Sequence, residues 1–282
     1  MDCRAHRLRY AATDGFHDLA WTHWGAPDLD QRAICVHGLT RTGRDFDALA
    51  QHLVLHGWQV ICPDLPGRGR SDRLADPALY SAPTYLSALS HLLGALDWRS
   101  CAWVGTSLGG ILGMMMAALP GTPVERLVLN DIGAQVPQDA ILRISAYLGR
   151  DIVFADLVAL EARLREVHAG FGALTDAEWK RMAELSSVRL ADGRQALHYD
   201  PAIAESFARL ADAPLDLSVL WQAVACPTLI LRGALSDVLP AEVAAAMADR
   251  PGVELETIPG CGHAPALLSF EQVARVAAFL DG

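Results

Sequence analysis

The chain has 282 residues, of which 52 % are apolar and 20 % charged, with a formal net charge of −10 at pH 7. That length and apolar fraction are enough to fill the core of one large domain and exclude a disordered chain. The acidic balance repels phosphate backbones and anionic lipid, and no apolar run reaches the ~18–20 residues of a membrane span, so neither nucleic acid nor membrane is an expected partner.

The start, Met1-Asp2-Cys3-Arg4-Ala5-His6, lacks the apolar stretch of a leader peptide, and a cytoplasmic location is expected. Arg7-Leu8-Arg9-Tyr10 and residues 19–24 have strand composition around an Asp14-Gly15 turn signal. Ala33-Ile34-Cys35-Val36 is short and apolar, as a buried strand should be. Residues 45–56 carry Phe46, Leu49, Leu53 and Val54 at helical spacing, with Gly57 as the stop. A strand over 58–62, a helix over 84–96, a strand over 101–104, a helix over 108–119 and a strand over 126–130 follow. This alternation predicts a parallel sheet covered on both faces.

From residue 134 to 216 no strand pattern is visible, and the charged, helically periodic sequence predicts a helical insertion. The alternation resumes with a strand over 227–231, a last strand over 253–258 and a closing helix over 270–280. Residues 1–133 and 217–282 therefore form the expected core domain, and 134–216 a cap over the carboxyl ends of the strands, where open α/β sheets bind ligands.

Six cysteines, at 3, 35, 62, 101, 226 and 261, form no Cys-x-x-Cys pair, so zinc-ribbon and thioredoxin-like sites have no basis. Those at 35, 62, 101 and 226 lie within or beside apolar runs and read as core filler.

The chemistry is carried by Gly105-Thr106-Ser107-Leu108-Gly109, a G-x-S-x-G sequence between a predicted strand and a predicted helix. A turn this sharp strains the serine backbone and leaves no room for side chains at 105 and 109. A serine hydroxyl needs a base. His263, in a glycine-rich loop after the last strand, is the expected one. Its expected partner is Asp237, in Gly233-Ala234-Leu235-Ser236-Asp237 after a strand, with Asp131 as the alternative after the strand ending at Asn130. A histidine base implies activity that falls on the acid side of the ordinary imidazole range. The oxyanion is assigned to the amides of Leu108, at a helix N-terminus, and Leu39, in the loop after His37-Gly38. His37 reads as a structural residue of that loop. Arg41 and Arg44 either meet an acidic group on the substrate or pair with Asp45 and Asp47. Asp64 through Asp72 is a turn-rich loop without the Gly-Lys-Ser/Thr ending of a phosphate loop.

His37-Gly38, Asp64 through Ser71, the Gly105 to Gly109 elbow, Asp237 and Gly262-His263 together resemble the α/β-hydrolase superfamily over almost the whole chain. The resemblance implies an eight-stranded, mostly parallel sheet with helices on both faces, a helical cap, and no cofactor or metal. Dehalogenase and epoxide-hydrolase branches carry aspartate at the elbow, so Ser107 points to the serine branches. The chain looks most like bacterial carboxylesterases, some of which accept short acyl esters and aliphatic polyesters.

The expected function is hydrolysis of a small-molecule ester through an acyl-enzyme, by a monomer or homodimer. Carbon–carbon hydrolysis of ring-cleavage products is the alternative, although those relatives continue His-Gly with further glycines and this chain reads Leu-Thr-Arg-Thr-Gly. A non-hydrolytic binding protein on the same fold is the alternative of another class. Tyr147, Trp179 and Trp221 are candidate pocket residues in or near the cap, with Arg41 beside them.

Overall fold

The computed structural model describes residues 3–150, 152–210 and 212–282. Met1 and Asp2, at the start expected to lack a leader, lie outside the described residues, as do Asp151 and Ala211 of the expected cap. The chain begins with β1 (Cys3–Ala12) and β2 (Gly15–Trp24), an antiparallel hairpin across the predicted Asp14-Gly15 turn. It continues through β3 (Gln31–Val36), α1 (Asp47–Leu55), β4 (Trp58–Pro63), α2 (Ala82–Ala95), β5 (Cys101–Thr106), α3 (Leu108–Ala117) and β6 (Val124–Asn130). A 3₁₀ turn over Gly43–Phe46 precedes α1, so the helix expected over 45–56 starts later than its periodicity suggested.

The stretch after β6 holds β7 (Gln135–Val136), α4 (Gln138–Tyr147), β8 (Val153–Phe154), α5 (Leu157–Val167), α6 (Asp176–Leu185), β9 (Ser187–Arg189), β10 (Gln195–Leu197), α7 (Ile203–Ala208), β11 (Leu215–Asp216) and α8 (Ser218–Ala223). Five short strands thus lie where none was expected. Runs of two or three residues are too short to show a periodicity. Two of them matter for architecture: β7 pairs antiparallel with β11, tying the two ends of this stretch together. The chain then returns through β12 (Thr228–Gly233), α9 (Ala241–Ala248), β13 (Val253–Ile258) and α10 (Phe270–Asp281).

The main sheet has eight strands in the order β1-β2-β4-β3-β5-β6-β12-β13. β1–β2 and β2–β4 are antiparallel and every later pair is parallel. The molecule therefore has the α/β-hydrolase fold. Strands at the centre are buried on both faces, and β12 is buried at every position, because helices cover the sheet on either side. One core, built around Trp103, Leu112 and Leu127, lies under α2 and α3, and a second, around Leu49, Leu53 and Phe279, under α1 and α10. α10 shows why its sequence folds this way. Val273, Val276, Ala277 and Leu280 recur at helical spacing on its buried face, and Ser269 caps it by accepting the Gln272 amide at 3.3 Å. Cys35, Cys62 and Cys101 are buried filler, and all six thiols are free. No helix among the described residues is long and apolar enough to cross a membrane.

Candidate active site

Ser107 sits at the C-terminal end of β5, where the chain turns straight into α3, with φ 52° and ψ −114°. This is a strained conformation for a residue with a Cβ. The surroundings enforce it. A Cβ on Gly109 would land on the carbonyl of Val36, and one on Gly105 on the carbonyl of Gly109. The Ser107 amide donates to the Asn130 carbonyl at 3.0 Å, which docks the elbow against the end of β6, and the Trp103 indole donates to the Gly109 carbonyl at 2.9 Å.

The imidazole of His263 bridges the elbow to the sheet. Its Nε2 lies 2.9 Å from Ser107 Oγ and its Nδ1 lies 2.7 Å from Asp131 Oδ2. A carboxylate only accepts, so Nδ1 carries the proton and Nε2 is left free to take the serine hydrogen. Asp131 is completely buried, in the first position after β6. Gly233 N–H donates to its Oδ1 at 2.7 Å and Ser236 Oγ to its Oδ2 at 2.6 Å.

The structure thus corrects the expected partner. Asp237 does not approach His263. It lies half-exposed at the surface, where its two oxygens accept from Arg143, with Nη2 at 2.9 Å. The reason is topological. β6 is the immediate neighbour of β5, so the residue after β6 emerges beside the elbow, whereas Asp237 lies four residues beyond the end of β12. The loop after β12 still serves the site, through the Gly233 amide and the Ser236 hydroxyl. The order Ser107, Asp131, His263 keeps the Ser–Asp–His chain order, so order by itself does not separate the two aspartates.

The loop of His37, Gly38 and Leu39 lies against the elbow. A Cβ on Gly38 would sit 3.8 Å from Ser107 Cβ, an ordinary contact. His37 is fully buried and structural: Nε2 accepts the Leu65 amide at 2.9 Å, so Nδ1 donates to the Gly38 carbonyl at 2.7 Å. Burial pushes its pKa down to about 3, which keeps the ring neutral. Behind it, the buried Arg68 donates from Nε to the Leu39 carbonyl at 2.9 Å and from Nη1 to Tyr85 Oη at 2.7 Å. Leu108 begins α3 directly after Ser107, and Leu39 lines the same cavity as the serine.

That cavity, of about 50 Å³, is bounded by Leu39, Tyr147, His168, Phe171 and His263 around Ser107. It shares the wall formed by Arg41, Thr106, Phe171 and Ala264 with a larger cavity of about 250 Å³. Phe46, Met182, Leu185 and Leu268 give the larger one an apolar lining, and the Arg44–Asp47 and Arg181–Asp47 pairs stand at its rim. The larger of these two spaces is therefore beside the serine rather than around it.

Of the expected pocket residues, the structure brings Arg41 and Tyr147 to the Ser107 cavity. Arg41 is held rather than free, donating to both oxygens of Asp45 at 2.8 and 2.6 Å and to Ser186 Oγ at 2.9 Å. Trp179 is packed with Leu160, Leu164 and Met182, and Trp221 belongs to the main core, where the Arg250 guanidinium lies over its ring at 4.8 Å. Neither tryptophan lines the cavity around Ser107, and both are packing residues, as aromatics at helical spacing commonly are.

Sequence reasoning missed His168 and Phe171, whose rings stack at 4.5 Å across from the serine. Burial, with Arg41, His263 and Arg143 nearby, drives the His168 pKa well below the ordinary imidazole value. The segment is seated on the loop of His263, since the Gly170 carbonyl accepts the Gly262 amide at 2.7 Å. Nothing in the local sequence marks these residues, because their place depends on how residues 134–216 fold back onto the loop of His263. No cluster of three histidine, cysteine or acidic side chains able to hold a metal ion occurs among the described residues.

Comparison with known proteins agrees with this arrangement. The family model described as alpha/beta hydrolase fold matches residues 34–269. A 3-hydroxybutyrate-oligomer hydrolase of Cupriavidus necator is 39 % identical over 277 residues, covering 95 % of this chain and 94 % of that protein. Among solved structures, an alpha/beta hydrolase from Novosphingobium aromaticivorans is 36 % identical with a TM-score of 0.87, covering 98 % of each chain. A hydrolase structure from Rickettsia typhi superimposes with a TM-score of 0.92 at 26 % identity, over 100 % of this chain and 99 % of its own. The chain belongs to the α/β-hydrolase family and is a hydrolase of that fold.

Proposed function

We propose that this protein hydrolyses carboxylic esters of the aliphatic polyester type, such as short oligomers of a hydroxy acid, through an acyl-enzyme on Ser107. The observation that carries this reading is the continuous line from Asp131 through His263 to Ser107, at 2.7 and 2.9 Å. Likeness to the 3-hydroxybutyrate-oligomer hydrolase supports the substrate class.

In the first half-reaction, Ser107 Oγ attacks the ester carbonyl while its proton passes to His263 Nε2. Asp131 steadies the imidazolium through Nδ1–H. The amides of Leu39 and Leu108 hold the oxyanion, the latter aided by the N-terminus of α3. Collapse breaks the carbon–oxygen bond, and His263 returns the proton to the departing alcohol. In the second half-reaction, His263 takes a proton from water, which attacks the acyl carbon. The acid leaves, and Ser107 recovers its hydrogen. Residues 134–216 act as the cap, carrying Tyr147, His168 and Phe171 over the serine.

The test is turnover of p-nitrophenyl esters of increasing acyl length and of 3-hydroxybutyrate oligomers, wild type beside Ser107→Ala. Ester turnover that falls by at least ~10³-fold in the variant supports the reading. Absence of turnover on every ester, with cleavage of a ring-cleavage dienoate, would move the protein to carbon–carbon hydrolysis.

A further inference from the structure

The cavity around Ser107 adjoins a second, smaller one of about 20 Å³, with Thr40, Arg41, Tyr147, Val167 and His168 lining both. Its far end is formed by Arg150, Arg163 and Tyr199. Among the described residues the lining holds three guanidinium groups and no carboxylate. Two of the three are already engaged: Arg41 with Asp45, and Arg163 with Glu166 at 2.8 Å. Arg150 has no carboxylate within ion-pair distance among the described residues. The turn that presents it is nevertheless fixed. Gly149 N–H donates to Tyr199 Oη at 3.1 Å, and Arg150 N–H to the Tyr147 carbonyl at 3.2 Å. The space is about that of one or two waters, which suits a carboxylate and not a ring.

Resting on the ester-hydrolase reading above, we propose that Arg150 binds the free terminal carboxylate of a hydroxy-acid oligomer, so that the chain is cut from its carboxyl end. An oligomer of this kind has a direction. Its carboxylate always lies on the alcohol side of whichever ester bond is broken. Anchoring the carboxylate at Arg150 therefore places the leaving hydroxy acid along Tyr147 and His168, the scissile carbonyl at Ser107, and the acyl remainder in the apolar cavity of about 250 Å³ beyond Phe171. A guanidinium suits this task, since it pairs with a carboxylate through two parallel hydrogen bonds.

The experiment compares a 3-hydroxybutyrate trimer as its free acid and as its methyl ester, with p-nitrophenyl butyrate as an uncharged control. Wild-type kcat/KM is expected to favour the free acid by about ten- to a hundredfold, the range of a charge-assisted hydrogen bond, and mainly through KM. A trimer labelled in its carboxyl-terminal unit releases that label first. In Arg150→Gln the preference for the free acid disappears, and Arg150→Lys keeps part of it. Equal wild-type turnover of acid and methyl ester, or a preference that survives in Arg150→Gln, overturns the inference. Turnover of p-nitrophenyl butyrate alongside either result leaves the ester-hydrolase reading standing, whereas its absence removes both.

Discussion

Asp131 Oδ2 lies 2.7 Å from His263 Nδ1, and the carboxylate is completely buried, while Asp237, the same residue type at the end of the next strand's loop, spends its oxygens on Arg143 in solvent. One carboxylate holds the His263 imidazole from a buried position and the other is screened at the surface. Asp131→Asn is expected to lower kcat on esters by about 10³–10⁴-fold, because an amide cannot hold the required tautomer. Asp237→Asn is expected to leave kcat within about threefold. Steady-state kinetics of the two variants decide it, and the opposite ranking would return the role to Asp237.

The pair formed by Arg143 and Asp237 should add little to stability. Both side chains are more than two-fifths exposed, at 43 and 47 %. A double-mutant cycle with alanine at each position, read by urea denaturation, should give a coupling of about 0–1 kcal/mol. A coupling of several kcal/mol would mean that the pair is shielded from solvent rather than screened by it.

Gly109 has no room for a side chain, since a Cβ would fall on the Val36 carbonyl. The clash is between two backbones, so no flexible group can yield. Gly109→Ala should cost at least the ~1–3 kcal/mol usual for overpacking and should lower Tm together with activity. A variant with wild-type Tm would show that the elbow relaxes more freely than its contacts suggest.

Stability should fall as the solution is acidified, because His37 and His168 are buried and His198 half-buried, all in neutral form. The His37 pKa is pushed down to about 3 and that of His198 to about 4, both chiefly by burial, and His168 is lowered well below the ordinary value. The sign follows from proton uptake. Between pH 6.5 and the depressed values the unfolded chain binds protons that the folded chain refuses, so stability is complete above about 6.5 and drains away below it. Each histidine contributes at most about 1.4 kcal/mol per pH unit to that loss. His198 is the clean test, since its buried Nε2 has no partner. His198→Gln should flatten the decline between pH 6 and 5, measured by urea denaturation. A wild type equally stable at pH 5 and 7 would sink this account.

Much of the molecule was legible from residues alone. The alternation of short apolar runs with helical periodicity marked every strand of the central sheet, since each strand and helix had to bury its own stretch. Gly105-Thr106-Ser107-Leu108-Gly109 marked the strained turn that carries Ser107, because only a strand-to-helix turn with glycines at both ends permits that backbone. His263 stood out by its place after the last strand, and the structure brings its ring to Ser107 and Asp131.

What only the tertiary structure decided is proximity across the chain. Whether Asp131 or Asp237 reaches His263 depends on which strand lies beside β5, a property of sheet order that neither local sequence encodes. The walls of the cavity are of the same kind. Tyr147, His168 and Phe171 meet Ser107 only because residues 134–216 fold back over the sheet, while Trp179 and Trp221, equally aromatic and equally placed by sequence, turn into packing instead. The chain alone specifies which groups can do chemistry, through local sterics and periodicity. Which of them meet is settled by contacts between residues distant in the chain, 132 positions apart for Asp131 and His263 and 156 for Ser107 and His263.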